Sequence, residues 1–135
     1  MKLKRYVIEQ MKQHLESTYP YEGCGVMLGK NNTVTDILRG TNIKQDRKED
    51  RFVLDPSDIL NAEKYAKERG IDILGFYHSH PDHPAKPSQT DLESAWEDYY
   101  YAIASVDKGR MSKIGLFKLS DKGNSFIEET INIED

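Results

Sequence analysis

Cysteine, excess charge of one sign and long apolar runs are all scarce in this sequence. A single cysteine, Cys24, occurs among 135 residues, which excludes an internal disulfide and fits a reducing compartment. The net charge of -4 offers no basic field that would attract nucleic acid. No segment approaches the ~20 apolar residues that span a bilayer, and charges interrupt the N-terminal stretch where a signal peptide needs an apolar run. We therefore expect a cytoplasmic protein without nucleic-acid or membrane partners.

The length and composition predict an ordinary globular domain. A chain of 135 residues is long enough to bury most of its apolar groups around one core. Charged residues make up 31% of the chain and hydrophobic residues 37%, which is typical of a folded protein with a well-solvated surface. We expect one domain over residues 1–135.

Hydrophobic periodicity predicts helices and strands in mixed order. Val7, Met11 and Leu15 recur at helical spacing and predict a helix over 4–17. Further helices are predicted over 55–70, with Asp55 as N-cap and Pro56 in the first turn, and over 88–98. Strands are predicted over 23–28, 33–38, 51–54, 71–80, 100–106, 114–119 and 125–133, with a turn at 30–32 and loops over 40–49 and 81–87. The fold class is α+β or mixed α/β, a mixed sheet with helices packed on it.

A histidine pair at the end of the predicted strand 71–80 is the strongest chemical signal. His78 and His80 are two positions apart, so in an extended strand both imidazoles project from one face and can share a metal ion. Asp91, in the first turn of the next helix, supplies a third ligand if the proline-rich loop folds back. Three protein ligands and an open fourth position are typical of a catalytic zinc, whereas a structural zinc usually has four ligands, commonly cysteines.

Two other interpretations of this segment need to be weighed. Ser88 and Asp91 have the spacing of a helix capping box, a role that can coexist with metal binding. The run from His78 to His83 also matches the H-x-H-x-D-H pattern of two-metal hydrolases. That chemistry needs further downstream ligands, which are missing, and His14 is expected on the polar side of the first helix. Asp82 and His83 are therefore interpreted as loop residues that line the cleft or have no role.

The complete pattern resembles the signature of the JAMM, or MPN-plus, zinc metallopeptidases. The signature E…H-S-H-P-x6-S-x2-D is filled by Glu22, His78, Ser79, His80, Pro81, Ser88 and Asp91. The flanks 22–29, 51–56 and 75–77 resemble the compact prokaryotic branch, and the similarity covers roughly residues 19–135. It implies the JAMM/MPN fold, similar to cytidine deaminases, with a mixed, largely antiparallel curved sheet flanked by helices. It also implies one Zn²⁺ per chain at the sheet edge.

The resemblance also implies a reaction and the roles of individual residues. The reaction is peptide or isopeptide cleavage after the C-terminal Gly-Gly of a ubiquitin-like or sulfur-carrier protein, with that protein as partner. Glu22 is the general base, Ser88 donates a hydrogen bond to the oxyanion, and Ser79 faces away from the metal and supports the loop. The chain is short for the substrate-gripping insertions of eukaryotic deubiquitinases, so linked ubiquitin chains are expected to be poor substrates.

Several rival interpretations are less well supported. A non-catalytic MPN-type binding module for ubiquitin-like proteins would not need the intact ligand set. A zinc deaminase would need a Pro-Cys-x-x-Cys segment, which one cysteine cannot supply. Cys24 is expected to be a small buried packing residue rather than the nucleophile of a thiol protease. Trp96 and the tyrosines at 99–101 are either a binding platform or, as we favour, residues alternating between core and surface.

Overall fold

One eight-stranded sheet organises the protein. The computed structural model describes residues 1–135. Its elements in chain order are β1 (Lys2–Lys4), α1 (Arg5–Thr18), β2 (Cys24–Lys30), β3 (Thr33–Arg39), α2 (Pro56–Arg69), β4 (Asp72–Pro81), α3 (Gln89–Ser94), β5 (Tyr100–Asp107), β6 (Arg110–Leu119), β7 (Phe126–Glu129) and β8 (Asn132–Glu134). The strand order is β7-β6-β5-β4-β2-β3-β1-β8. Parallel pairs join β1 to β3 and β8 and β4 to β5, and the other pairs are antiparallel, which confirms the predicted mixed sheet.

The two long helices cover opposite faces of the sheet. The buried face of α1 carries Val7, Met11 and Leu15, which pack with Met27 and Tyr77 in the larger core cluster. The buried alanines of α2 pack with apolar side chains on the other face of β2 in a smaller cluster. Because side chains alternate along a strand, β2 and β4 each serve both clusters. The sheet is thus the middle of three layers.

The predicted boundaries of α2 are confirmed by its caps. The Asp55 carboxylate accepts a hydrogen bond from the Ser57 N–H at 3.0 Å, and Pro56 begins the helix. Gly70 ends it with a φ of 66°, a left-handed conformation that glycine adopts without a side-chain clash. These local signals were sufficient to predict both ends of the helix.

The predicted strand over 51–54 is wrong. The segment has no ladder, and its sheet-like pairing is limited to an isolated bridge between Asn42 and Leu54. The Asn42 side chain instead accepts from the Val53 N–H and donates to the Arg51 carbonyl. The Arg51 carbonyl and the Val53 N–H, which would bond to a neighbouring strand, are therefore satisfied by one side chain.

Two other predicted elements need correction, and one strand was missed. The helix predicted over 88–98 ends at Ser94, because the backbone is extended at Ala95. The strand predicted over 125–133 is two strands, β7 and β8, at opposite ends of the strand order. Since only two residues separate them, the sheet curls until its two edges approach each other. The short β1, which pairs with β8, was not predicted.

The predicted position of His14 is also wrong. Its residue surface is only 5% exposed, and it lies on the buried face of α1. Its Nδ1 is 2.6 Å from the Tyr77 hydroxyl, a buried polar contact that makes the core position tolerable. Helical periodicity misassigned it because histidine was counted as polar.

No helix in the structure has the length and apolar character needed to cross a membrane.

Candidate metal centre

Strand β4 positions the two candidate histidine ligands. His78 and His80 project from the face covered by α2, and both are buried. Tyr77 and Ser79 project from the opposite face, as alternation requires. The Ser79 hydroxyl accepts a hydrogen bond from the Gly23 N–H at 2.8 Å. This contact ties the end of β4 to the start of β2 and agrees with the supporting role expected for Ser79.

Helix α3 brings Asp91 back to the same point. The Ser88 hydroxyl accepts from the Asp91 N–H at 3.0 Å, and the Asp91 carboxylate accepts from the Ser88 N–H at 2.9 Å. This is the full capping box expected from the spacing, and it fixes the Asp91 side chain. Asp91 Oδ1 lies 3.2 Å from His78 Nε2, and Asp91 Oδ2 lies 3.1 Å from His80 Nε2.

The donor atoms of these three side chains have the spacing of zinc ligands. His78 Nε2 and His80 Nε2 are 3.2 Å apart, close to their separations from the Asp91 oxygens. Ligand bonds of 2.0–2.1 Å in a tetrahedral zinc site keep neighbouring ligand atoms about 3.3 Å apart. Two imidazole nitrogens and a carboxylate oxygen are also ligand types that zinc prefers. The spacing and the chemistry of the three side chains are therefore compatible with a zinc ion.

The protonation of His80 suits a ligand. Its Nδ1 lies 2.9 Å from the Pro84 carbonyl oxygen, which can only accept, so Nδ1 carries a hydrogen. In the neutral ring with this tautomer, Nε2 carries the lone pair that a metal ion would bind. A hydrogen bond of this kind on the far nitrogen is what usually orients a metal-bound imidazole.

The electrostatics of the group favour a cation. Burial lowers the pKa of His78 and so disfavours its charged form. Burial raises the pKa of the Asp91 carboxyl. Hydrogen bonds with His78 and His80 outweigh this effect and hold that pKa well below the usual range. Asp91 is thus a carboxylate pressed against two imidazoles. A divalent cation would satisfy all three at once.

Glu22 reaches the centre through the register of β2 and β4. Cys24 lies opposite His78 in the antiparallel ladder, so continuing this register sets Glu22 beside His80. One ligand atom from each of Glu22, His78 and His80 lies within 4.8 Å of the others, a group that can hold a metal ion. Glu22 is 5% exposed, and burial, partly offset by His80, raises the pKa of its carboxyl to about 8. A carboxyl of this kind can both accept and return a proton near neutral pH.

Sequence reasoning missed the contribution of the segment 42–54. The Phe52 ring stacks on the His78 imidazole, with centroids 4.6 Å apart and planes inclined by 30°. The Glu22 N–H donates to the Lys48 carbonyl at 2.6 Å, and its carbonyl accepts from the Asn42 side chain at 3.0 Å. Residues 40–49 were predicted only as a loop, and no periodic signal marks these contacts.

A largely apolar cavity adjoins the centre. Its volume is about 290 Å³, and Glu22, His78 and Asp91 form part of its wall. The rest is mostly hydrophobic and includes Phe52, Leu54, Phe76, Trp96 and Tyr101. Trp96, which is 53% exposed, packs edge-on against Phe76. Trp96 and Tyr101 thus line this cleft, whereas Tyr100 packs against the larger core cluster, so the neighbouring tyrosines alternate as we favoured.

Cys24 lines the same cleft but is not a reactive thiol. It is 1% exposed, and burial raises the pKa of the thiol to about 12. The nucleophilic form of cysteine is the thiolate, which this environment suppresses at neutral pH. The structure therefore supports the expected packing role.

Asp82 and His83 lie outside this cleft. The Asp82 carboxylate accepts from the Tyr19 hydroxyl at 2.6 Å and from the Lys108 N–H at 2.7 Å, which anchors the turn after β4. The His83 carbonyl accepts from the Ser105 hydroxyl at 2.6 Å. Both residues face a second, polar cavity, so their contribution is to hold the loop that carries Pro84.

Sequence comparison identifies the family to which this centre belongs. The family model described as prokaryotic homologs of the JAB domain matches residues 4–115. The chain belongs to this prokaryotic JAB family. It is 38% identical over 96 residues to the desampylase of Haloferax volcanii, covering 69% of this chain and 68% of that protein. It is 31% identical over 103 residues to a probable TtuB-protein conjugate cleaving protease of Thermus thermophilus, covering 76% and 68%.

Solved structures agree with the family assignment. A protein from Desulfitobacterium hafniense superposes with a TM-score of 0.86 at 27% identity, covering 99% of this chain and 92% of that one. A JAB1/MPN domain protein from Archaeoglobus fulgidus superposes with a TM-score of 0.67 at 15% identity, covering 100% of both chains, and shows the shared fold. The predicted JAMM/MPN family and fold are confirmed, and the relatives confirm that this JAB protein is a hydrolase of the peptidase class.

Proposed function

We propose that this JAB protein is a zinc-dependent peptidase or isopeptidase that hydrolyses the bond after the C-terminal Gly-Gly of a ubiquitin-like or sulfur-carrier protein. The observation that carries the proposal is the convergence of His78, His80 and Asp91 on one point, with the buried Glu22 carboxylate beside them. The proposed ligands are these three side chains, with one Zn²⁺ per chain. The proposed catalytic residues are Glu22 and Ser88.

The substrate class is supported by the relatives. One is a desampylase, and another is a probable protease that cleaves TtuB–protein conjugates. Both names describe removal of one protein from a conjugate. The Gly-Gly requirement is what the JAMM signature implies for such a substrate, and it is carried over to this chain as part of the proposal.

Zinc held by the three ligands would supply Lewis-acid chemistry, making water more acidic and polarising a carbonyl group. Glu22 takes a proton from the attacking water and returns it to the departing amine. Burial disfavours the charged form of this carboxyl, which favours uptake of the proton from the water. Ser88 uses its oxygen to accept from the Asp91 N–H, so its hydroxyl hydrogen is free to stabilise the oxyanion.

The cleft suits a substrate that is thin next to the scissile bond. A Gly-Gly tail has no side chains, so its backbone can approach buried ligands that a bulkier segment would not reach. The apolar wall with Phe76 and Trp96 offers a hydrophobic surface for the parts of the substrate beyond the glycines. We therefore expect the tail to confer cleavage specificity.

The alternative of a non-catalytic binding module is disfavoured by the same residues. A module that only bound a ubiquitin-like protein would not need a capped Asp91 held against two buried imidazoles. Nor would it need a buried Glu22, whose desolvation is unfavourable. The arrangement is explained by chemistry better than by binding alone.

The test is a cleavage assay with a sulfur-carrier protein extended beyond its Gly-Gly. The zinc-loaded enzyme should release the extension, and a variant substrate with bulky residues in place of both glycines should resist cleavage. Enzyme treated with a chelator is the matched control. Equal cleavage of both substrates would refute the Gly-Gly requirement, and cleavage of neither by zinc-loaded enzyme would refute the proposed substrate class.

A further inference from the structure

Asn42 uses its whole side chain to hold one wall of the metal centre. Its Nδ2 donates to the Glu22 carbonyl at 3.0 Å and to the Arg51 carbonyl at 3.1 Å. Its Oδ1 accepts from the Lys44 N–H at 3.0 Å and from the Val53 N–H at 3.1 Å. An amide side chain has two donor hydrogens and an oxygen with two acceptor sites, so all of its capacity is used.

These bonds connect three different parts of the chain. Glu22 precedes β2, whereas Arg51 and Val53 flank Phe52 in the segment before α2. The Asn42 side chain therefore lies beside residues 51–53, in the position that a neighbouring strand would occupy. It joins the backbone of the proposed base to the backbone on either side of the ring that stacks on His78.

Other contacts also hold this segment near the centre. Its remaining backbone ties include the Glu22 N–H to Lys48 carbonyl bond at 2.6 Å and the Ile43 N–H to Val53 carbonyl bond at 2.9 Å. The segment lacks a strand ladder, and Ile43 and Val53 are exposed, whereas Phe52 stacks on His78 and Leu54 packs against the smaller core cluster. With four hydrogen bonds, the Asn42 side chain contributes strongly to the order of this segment.

We propose that Asn42 is a positioning residue that sets the place of the Glu22 carboxylate and keeps Phe52 on His78. The inference rests on the proposed function, since it assumes that Glu22 is the base. Asn42 itself does not touch the reacting atoms. Because proton transfer depends steeply on distance and angle, a small displacement of the Glu22 backbone should slow turnover without removing the metal ligands.

Two substitutions of Asn42 test this positioning role. Asn42→Asp keeps the shape but directs an acceptor at the Glu22 and Arg51 carbonyl oxygens, which lose their donor. Asn42→Ala removes all four bonds without adding charge. Asn61→Asp, on an exposed position of α2, is the matched control for the added charge.

The experiment measures zinc content, the melting temperature, kcat and KM on the extended carrier protein, and the rate at which trypsin nicks the native protein. Rates are taken per zinc-loaded, folded molecule, well below the melting temperature. Both Asn42 variants should retain one zinc, lose about 10- to 100-fold in kcat and change KM by less than about threefold. Trypsin should cut at Lys44, Arg47, Lys48 or Arg51 about tenfold faster than in the wild type. Asn61→Asp should match the wild type in every measurement.

The outcomes distinguish this inference from the proposed function. Cleavage by the wild type together with wild-type kcat in both Asn42 variants would overturn the positioning role. A loss confined to KM or to the melting temperature would likewise overturn it, because it would indicate a substrate contact or a general structural role. If the wild type itself cleaves no carrier protein, the proposed substrate fails. Unchanged nicking of the variants would then still overturn the claim that Asn42 holds the segment.

Discussion

The buried contact between His14 and Tyr77 predicts an acid sensitivity that does not involve the metal ligands. Burial, reinforced by the positive charge of Arg39, lowers the pKa of His14 from 6.5 to about 4. Tyr77 faces it at 2.6 Å, and burial raises the pKa of that phenol, so it stays neutral. Protonated His14 would be a cation in the main apolar core, on the face of β4 opposite the metal centre.

The direction and the size of the change in stability with pH follow from proton linkage. The folded pKa lies below the unfolded value, so the unfolded chain binds more protons between pH 4 and 6.5. The contribution of neutral His14 to the stability of the folded protein is complete above pH 6.5 and is lost as the pH falls towards 4. With pKa values of about 4 in the folded and 6.5 in the unfolded chain, the free energy of unfolding decreases by about 2 kcal/mol at pH 5 and about 3 kcal/mol at pH 4.

The assay is denaturant unfolding at several pH values for the wild type and His14→Gln. Glutamine can accept from the Tyr77 hydroxyl but does not titrate, so the variant should lack this part of the pH dependence. The difference between the two proteins cancels the titration of the metal ligands, which both retain. His83→Gln, at an exposed histidine, is the matched control and should follow the wild type. Parallel stability curves for wild type and His14→Gln between pH 4 and 6.5 would refute the reasoning.

Three further predictions concern the metal centre. The purified protein should carry about one zinc per chain, and either His78→Ala or Asp91→Ala should lose it, as elemental analysis will show; two metals per chain would contradict the site. The Glu22→Gln variant should keep its zinc but lose nearly all turnover, and Ser88→Ala should slow turnover by about 10²- to 10³-fold. A wild-type rate in either variant would show that the substituted residue is not catalytic. Phe52→Ala should weaken zinc binding by about 10-fold in a chelator competition, whereas Phe52→Tyr should not, because the stacked ring orients His78; equal affinities would show that the stacking is incidental.

The sequence predicted most reliably those elements whose signals are local. The cap of α2 at Asp55 and its end at Gly70 involve neighbouring residues, and both agree with the structure. Strand β4 was predicted from a continuous β-like run that ends at the histidines. The split between β7 and β8 was missed because it depends on pairing with β6 and β1, far away in the chain. Nothing within 125–133 encodes that choice of partners.

The candidate ligands could be predicted because their geometry is also local. Alternation along a strand is enough to put His78 and His80 on one face, and a capping box is enough to fix the side chain of Asp91. Glu22 is different. Its place beside His80 depends on the register between β2 and β4, which no local pattern reveals. It was found through the family signature, in which the glutamate is tied to the histidine motif by resemblance rather than by spacing.

The segment around Asn42 was missed for a related reason. Its hydrogen bonds join a side chain to backbone groups that lie 20 residues before it and up to 11 residues after it, so they leave no periodicity in the sequence. The same bonds explain why Phe52 and its neighbours look like a strand. They have the composition of a strand and the hydrogen-bond demand of one, and the side chain of one asparagine meets part of that demand. A β-like run that lacks a strand partner is therefore a place to look for a polar side chain acting as the partner. Here that side chain also holds the backbone of the proposed base.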